Sequence, residues 1–539
     1  MMIANILNFK TKTVAFGGIL LALSSAVSSA LGIVRDRLLA GRFGAGPELD
    51  AYFAAFRIPD LLYGILIIGG FTAVFVPLFS EYAEKSKEEA WRFTSNLLHV
   101  FLLFFSALSL LLLFGAPLLV RLVAPGFTAS QYETTVFLTR LMLLSPLVLG
   151  VSAIVSGVLQ YAGRFFLYAL APILYNAGII AGILFFVPAF GIIGLGMGVL
   201  FGAMLHLLVQ VPGFFAYGFR WQAILRITDP AMKKIFVMVL PRLISTSAYQ
   251  ISATVLTALA STFSAGSIAV FQFANNIQYF PVGIFGVSFA LASFPNLSRA
   301  FVHHDHSQFL RTFSSTFRQT VFFTLPVALW IFLMRSQIVR LLLGTGKFGE
   351  DDIRLTAASL AIFSFVIVFH SLVPLLARAF FALQDTKTPT VVHVGTLLFN
   401  ISAAFFLAFL FNSFEGVRAF FSELLSLQDI EDIRVLALPL SLAMTGFLQF
   451  LFLFIFLRKE MSHHWRTGVL VSFLKLLIAA FVSGVALSGV LAWHGAPDGL
   501  QDLFAQAALA GGAGLLSYLF VCVLVRSSEL REIFSSLKK

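Results

Sequence analysis

The chain has 539 residues, of which 59% are hydrophobic and 11% charged, and its formal net charge is +11. A soluble globule could not bury that much apolar surface, and the polar stretches are too short to form a water-soluble catalytic domain. No basic domain carries the positive charge, so nucleic-acid binding is excluded, and short basic loops between membrane spans account for the charge better. The single cysteine, Cys522, excludes an internal disulfide and a thiolate metal cluster.

Apolar stretches recur along the chain, each long enough to cross a hydrocarbon core of about 30 Å as a helix. They predict an all-α polytopic membrane protein with about fourteen transmembrane helices. The first stretch resembles a signal peptide, but Arg35-Asp36-Arg37 follows it directly, so we interpret it as the first span. The predicted spans lie near 14–34, 60–80, 93–119, 134–160, 166–187, 191–216, 232–259, 266–297, 312–334, 354–381, 390–411, 434–457, 467–493 and 505–526.

The distribution of positive charge predicts the orientation of these spans. The termini and the even-numbered loops hold about 20 Lys and Arg residues, against about 11 in the odd-numbered loops. Because positively charged loops stay on the cytoplasmic side, both termini are predicted to be cytoplasmic.

Two pairs of motifs suggest an internal repeat of about 220 residues, or six helices. They pair Leu159-Gln160 and Asn176 with Leu383-Gln384 and Asn400, and Phe71, Pro77 and Ser80 with Phe289, Pro295 and Ser298. The repeat predicts two pseudo-symmetric six-helix lobes around a central cleft, with substrate bound between them. We place the lobes at 14–217 and 232–457 and an appended helix pair at 467–526. A helical bundle with chance similarity is the alternative.

Charged and polar residues within or beside the spans are candidates for the cleft, because each is costly in hydrocarbon. Arg35 and Asp36 close the first span, and Arg242 lies near the start of the seventh. Asn275 and Asn276 form a polar strip in the eighth span. The alternatives are snorkelling of the arginine to the nearest interface and hydrogen bonding of the amides between helices.

Helix-breaking residues fall in corresponding spans of the two predicted lobes. Gly69 and Gly70 lie in the second span, and Pro281 and Gly283 lie in the eighth. Irregular helix at membrane depth is tolerated where it lines a cavity or packs on protein, so these residues are predicted hinges or broken-helix positions.

Motifs for enzymatic chemistry are missing from the sequence. It has no P-loop, and Asp351-Asp352 lacks the second acidic pair of a magnesium–diphosphate site. His303-His304-Asp305-His306 lies in a short loop and predicts no metal site. We therefore expect a transporter without metal or cofactor.

Several segments resemble the lipid II flippases of the MurJ type, within the multidrug/oligosaccharidyl-lipid/polysaccharide exporter superfamily. They follow the family's order from about residue 17 to 400. The segments are LGIVRD at 31–36, FGAG at 43–46, DAY at 50–52, GFTAVFVP at 70–77, VAPGF at 123–127, PVGIFGV at 281–287 and RAFFALQDTKTP at 378–389.

The resemblance implies a two-lobe exporter fold in the bacterial cytoplasmic (inner) membrane. It also implies a function, which is moving the undecaprenyl-diphosphate-linked peptidoglycan precursor, lipid II, from the inner to the outer leaflet by alternating access. A cationic cavity would receive the diphosphate, and the last two helices would form a groove for the lipid tail. Membrane potential or an ion gradient would drive transport. The partners would include the lipid-linked substrate, the bilayer and the cell-wall synthesis machinery.

By position, Arg35, Asp36 and Asp50 match family residues considered functional. The chain departs from the family pattern at Ser29, Tyr63 and Asn276, where other members often have arginine. Arg57 and Arg242 are the residues that could compensate.

Three other functions remain open. The departures leave room for a flippase of another polyprenyl-linked glycan. An ion-coupled small-molecule exporter would need a buried carboxylate within a span, and the sequence suggests none. A non-transporting scaffold for wall synthesis is the third function, although the sequence suggests no large partner-binding domain to support it.

Overall fold

The computed structural model describes residues 14–64, 72–458 and 463–537, and its long regular elements in these ranges are all helical. Ten of the described helices are long and apolar enough to cross a membrane, or eleven if the bent pair Glu350–Ser364 and Ile367–Ala382 is one span. The all-α polytopic class is thus confirmed. The count of fourteen is not confirmed, and the predicted second span includes residues 65–71, which lie outside the description.

Packing divides the chain into two compact units, Met1–Ala269 and Val270–Lys539. The predicted lobe boundaries at 14–217, 232–457 and 467–526 stay predictions. The described helices of the first unit are α1 (Val14–Phe43), α2 (Pro47–Tyr63), α3 (Thr72–Lys85), α4 (Lys87–Val123), α5 (Ala129–Met142), α6 (Leu144–Tyr161), α7 (Phe165–Ala181), α8 (Val187–Phe190), α9 (Ile193–Leu208), α10 (Val211–Ala216) and α11 (Pro230–Ala260).

The helix that follows, α12, begins at Ser267 and ends at Pro281, so the division between the units falls within it. A π-helical turn, Val282–Val287, follows. The remaining helices are α13 (Ser288–Val302), α14 (His306–Leu333), α15 (Arg335–Leu343), α16 (Glu350–Ser364), α17 (Ile367–Ala382), α18 (Lys387–Ser413), α19 (Glu415–Leu425), α20 (Ala437–Leu457), α21 (His463–His494), α22 (Leu500–Leu524) and α23 (Ser528–Leu537).

Helix α7, together with the π-helical segment Gly182–Phe186 that continues it, approaches α9 backbone to backbone. A Cβ on Gly198 would lie 2.8 Å from the Cα of Gly182, and a Cβ on Gly178 would overlap the backbone of Gly202. Small residues spaced four apart allow this approach, and close van der Waals packing drives helix association where lipid removes the hydrophobic driving force. The glycines of these spans therefore fix the spacing of the α7–α9 pair.

The same turn geometry ends a helix in each unit. The φ angle is +70° at Gly163 and +61° at Gln384, and the next amides, of Arg164 and Asp385, each donate to the carbonyl five residues earlier at 2.9 Å. This is the hydrogen-bond pattern of a Schellman motif, in which a residue in the left-handed conformation ends a right-handed α-helix. The same cap also ends α13 and α22, so it is common in this chain, and the six-helix repeat stays a prediction.

Two loops of the second unit then use an aspartate to start the next helix. Asp305 accepts from the amide of Gln308 at 2.8 Å, and Asp385 accepts from the amide of Thr388 at 2.9 Å. Hydrogen bonds from Thr388 hold the pKa of Asp385 below its ordinary value. Asp305, which belongs to the histidine-rich loop, thus serves as the N-cap of α14.

A buried carboxylate anchors the C-terminal helix α23 to the second unit. Glu529 is 2% exposed and lies 3.3 Å from the guanidinium of Arg318 on α14. It also accepts hydrogen bonds from Ser472 on α21 and from Ser527. Burial acts to raise the pKa of Glu529, but the serine hydrogen bonds outweigh burial and the pKa lies below the ordinary value. Glu529 is therefore ionised at neutral pH.

We expect Glu529→Gln to lower the free energy of unfolding by about 3 kcal/mol, because it leaves the partly buried Arg318 without its buried counter-charge. Glu532→Gln is the matched control. Glu532 also pairs with Arg318, at 3.0 Å, but it is 37% exposed, so its loss should cost less than about 1 kcal/mol. Thermal unfolding in detergent, followed by tryptophan fluorescence, measures both changes. Equal destabilisation by the two variants would contradict the anchoring role of Glu529.

Candidate functional site

Arg35 and Asp36 form an ion pair near the C-terminal end of α1. The Nε and Nη2 atoms of Arg35 both donate to Oδ1 of Asp36, at 3.0 and 2.8 Å. The carboxylate is buried and the guanidinium half-buried. Adjacent residues of a helix point in different directions, so this pair forms only because the long arginine side chain folds back onto its neighbour.

A third residue, Asn176 on α7, holds the other arm of the guanidinium. Its Oδ1 accepts from Nη1 of Arg35 at 3.3 Å, and its Nδ2 donates to Oγ of Ser28 at 3.0 Å. Arg35 is thus held by α1 and α7 together. The sequence indicated Asn176 only as a repeat marker, although an amide within an apolar span was a signal for a polar contact.

A second pair of charged residues lies one helix further along the chain, on α2. The Nε atom of Arg57 donates to Oγ1 of Thr257 on α11 at 2.8 Å. The carboxylate of Asp60 interacts electrostatically with Arg57 and Arg35. Sequence reasoning missed Asp60, although Arg57 and Asp60 have the (i, i+3) spacing at which helical side chains meet.

The formal charges of these four residues, Arg35, Asp36, Arg57 and Asp60, add to zero. They form a polar array rather than a purely cationic one. Arg242 would add a positive charge, but its side chain lies outside the described residues.

Asp50, the other acidic residue that the sequence predicted for the site, caps the start of a helix with its side chain. Its side chain is 2% exposed. Its two oxygens accept from the amides of Gly266 at 2.6 Å and Ala269 at 2.9 Å, at the start of α12. Gly266 has a φ of +92°, and a Cβ there would overlap the carbonyl oxygen of Ala45. Only glycine fits this position, and Asp50 caps the start of α12 through its side chain.

We expect Asp50→Ala to lower the free energy of unfolding by about 2 kcal/mol, because two buried amides lose their hydrogen-bond acceptor. Asp50→Asn, which keeps one acceptor oxygen, should lose less. The control is Glu48→Ala, since Glu48 is exposed in the first turn of the same helix. Thermal unfolding in detergent measures the difference. A midpoint for Asp50→Ala equal to that of Glu48→Ala would contradict the capping role.

The polar strip of α12 is hydrogen-bonded along its own helix. Gln272 donates to Asn276 at 2.9 Å, and Gln278 donates to Asn275 at 3.1 Å. Both asparagines are half-buried. These two contacts run within one helix, and the interhelical alternative for the amides stays open.

The predicted helix breaks have different outcomes. Gly69 and Gly70 lie outside the described residues. Pro281 ends α12 directly before the π-helical turn, and Gly283 lies within that turn. A Cβ on Gly286 would lie 2.6 Å from the Cα of Ser371, so this turn packs closely against α17. The assignments of Pro281 and Gly283 to a hinge, and of the named residues to substrate binding, stay predictions.

The sequence model of the family described as "Lipid II flippase MurJ" matches residues 39–496. The chain belongs to this family. The matched range contains Asp50, Arg57, Arg242, Asn275 and Asn276. Arg35 and Asp36 precede it, so their match to functional residues of the family rests on the local motif at 31–36 alone.

Individual relatives agree with this assignment. The lipid II flippase MurJ of Burkholderia cenocepacia is 27% identical over 476 residues, which are 87% of each chain. A structure described as lipid II flippase MurJ in an inward closed conformation has a TM-score of 0.75 at 24% identity, covering 94% of this chain and 99% of the other. An inward-facing multidrug transporter of the MATE family has a TM-score of 0.65 at 15% identity, covering 80% and 95%. At these identities the two structural likenesses establish the shared fold.

Proposed function

We propose that this protein is a flippase that moves lipid II from the inner to the outer leaflet of the bacterial cytoplasmic membrane by alternating access. Membership of the MurJ family supports this function most directly. The likeness to a MATE transporter captured facing inward supports a transport fold that alternates between two openings. The protein is a multi-pass transporter and not an enzyme.

The observation in the structure that carries the proposal is the held guanidinium of Arg35. A planar guanidinium presents donors in a fixed fork that matches phosphate oxygens. Asp36 and Asn176 orient this fork before cargo arrives, so binding a diphosphate would require little further ordering of the side chain. The incoming phosphate oxygens would then compete with Asp36 for the same donors.

The charge balance of the array supports a driving force from the membrane potential. An anion that leaves a negative-inside cell gains about 2.3 kcal/mol per charge per 100 mV. Because Arg35, Asp36, Arg57 and Asp60 cancel, they would not neutralise the negative charge of bound diphosphate. The loaded site would therefore respond to the potential, and no ATP or cofactor would be needed. An ion gradient is the alternative driving force.

The last helix pair, the termini and the loops also have roles in this transport model. The pair α21 and α22 would form the groove for the lipid tail, and α21 exposes the large apolar side chains Leu470, Leu474, Ile478 and Phe481. The charge distribution of the loops supports cytoplasmic termini. Contacts with the cell-wall synthesis machinery would take place on the loops outside the membrane.

A flippase for another polyprenyl-linked glycan is the second candidate. It is favoured by Ser29, Tyr63 and Asn276, where the family pattern often has arginine. An ion-coupled small-molecule exporter is less well supported, because Asp36 is paired with Arg35 and Asp50 accepts two backbone amides. The remaining carboxylate of the array, Asp60, interacts electrostatically with Arg57 and Arg35. Each of the three thus has a structural partner.

The deciding experiment measures lipid II exposed at the outer leaflet of cells whose own flippase has been shut off. This protein is expressed in them and its membrane level is verified. Restored exposure is expected. No restoration at a normal protein level would overturn lipid II as the cargo and leave another polyprenyl-linked glycan as the substrate to be tested.

We expect Arg35→Ala to abolish the restored exposure at unchanged membrane level, because the phosphate-binding fork is removed. Arg35→Lys should retain partial activity, since lysine keeps the charge without the bidentate geometry. The control is Arg42→Ala, since Arg42 is exposed in the last turn of the same helix. Full transport by Arg35→Ala would refute the role of this guanidinium in cargo binding.

A further inference from the structure

The segment between α10 and α11, residues 217–229, runs without helix along the exterior of α4. Polar side chains of α4 bind the backbone of alternate residues in this linker. The contacts are Gln222 N to Ser95 Oγ at 3.1 Å, His99 Nδ1 to Ile224 O at 2.9 Å, Arg226 N to Asn96 Oδ1 at 2.6 Å and Asn96 Nδ2 to Arg226 O at 3.1 Å.

These contacts fix which side of the linker faces away from α4. The linker residues whose backbone α4 binds lie at even positions from 222 to 226, and three large apolar residues at odd positions are exposed. Trp221, Leu225 and Ile227 are 62%, 54% and 56% exposed. The linker thus presents an outward row of large apolar side chains.

This apolar row continues the membrane-facing surface of α4. The ring of Trp221 packs edge-on against His99, with centroids 5.5 Å apart. The next residues along α4, Leu102 and Leu103, are exposed apolar side chains on a helix that qualifies as a membrane span. The linker therefore lies where α4 passes from polar to apolar surroundings, and Trp is enriched at this level of a bilayer.

Basic side chains border the row. Arg220 and Arg226 lie in the linker and Lys233 follows in α11, all of them exposed. The one acidic residue of the linker, Asp229, is used to cap α11 by accepting from the amide of Ala231 at 2.9 Å. A basic segment with an apolar face matches an anionic membrane surface, which attracts Lys and Arg by about 1 kcal/mol each.

We propose that the linker is an interfacial anchor, in which Trp221, Leu225 and Ile227 insert among lipid chains while Arg220 and Arg226 bind anionic phospholipid headgroups. The partner is the bilayer surface itself. This surface is separate from the array around Arg35, so the proposal does not depend on the identity of the cargo.

The test places a bimane fluorophore on a single introduced cysteine of the full-length protein in vesicles. The probe position is Leu225→Cys, and the water-exposed control is Gln308→Cys in the first turn of α14. Cys522 is buried, and labelling of the parent chain measures its background. The quenchers are spin-labelled phosphatidylglycerol, spin-labelled phosphatidylcholine and aqueous iodide.

We expect both spin-labelled lipids to quench the probe at Leu225→Cys, with phosphatidylglycerol locally enriched about fivefold for each basic residue that contacts it. Iodide should quench only the control position. Adding Arg220→Gln and Arg226→Gln should equalise the two lipids. These changes spare the fold, because α4 binds the linker through the backbone at Arg226 and not through its side chain.

Three results would overturn the anchor. Iodide quenching at Leu225→Cys as strong as at the control would place the row in water. Protection from all three quenchers would show that protein covers the row. Equal quenching by the two lipids in the parent would refute the selection of anionic headgroups.

Discussion

Unpaired polar and charged groups are expensive in hydrocarbon, and this constraint governs the described part of the chain. Arg35 is held by Asp36 and Asn176, Glu529 by Arg318 and two serines, and Asp50 by two backbone amides. In each case the partner comes at least in part from a different helix or loop. The need to pair buried polar groups therefore fixes which elements must lie side by side.

The same constraint separates structural charge from functional charge. Asp50 has both carboxyl oxygens engaged by backbone amides, so this side chain maintains a loop. The guanidinium of Arg35 is paired only with side chains, which can exchange partners without unravelling a helix. A transporter has to release and rebind a charged cargo, and side-chain pairs are the contacts that permit such exchange at low cost to the fold.

The sequence predicted the features that depend on local composition. Long apolar stretches indicated the helical class. Pro281 and the glycines after it indicated the irregular helix where the structure has the π-helical turn. Both signals depend only on residues that are close in sequence. It did not predict Asp60 beside Arg57, the α7 partner of Arg35, or the capping role of Asp50. Asp60 has the (i, i+3) spacing from Arg57 that helical periodicity could have indicated. The other two contacts join residues 141 to 219 positions apart, which no periodicity encodes. The docking of the linker on Ser95, Asn96 and His99 was likewise invisible, since it uses backbone groups of an irregular segment.

The backbone-to-backbone packing of α7 and α9 has a consequence for motion. Interlocked glycines leave no side-chain layer that could deform, so the two helices resist sliding past each other as a rigid strut would. Because α7 also holds Arg35 through Asn176, displacement of this strut would carry the guanidinium's partner with it. Any conformational change in the first unit that preserves the glycine interface therefore moves α7 and α9 as one rigid body. The bending must then occur in other elements of that unit.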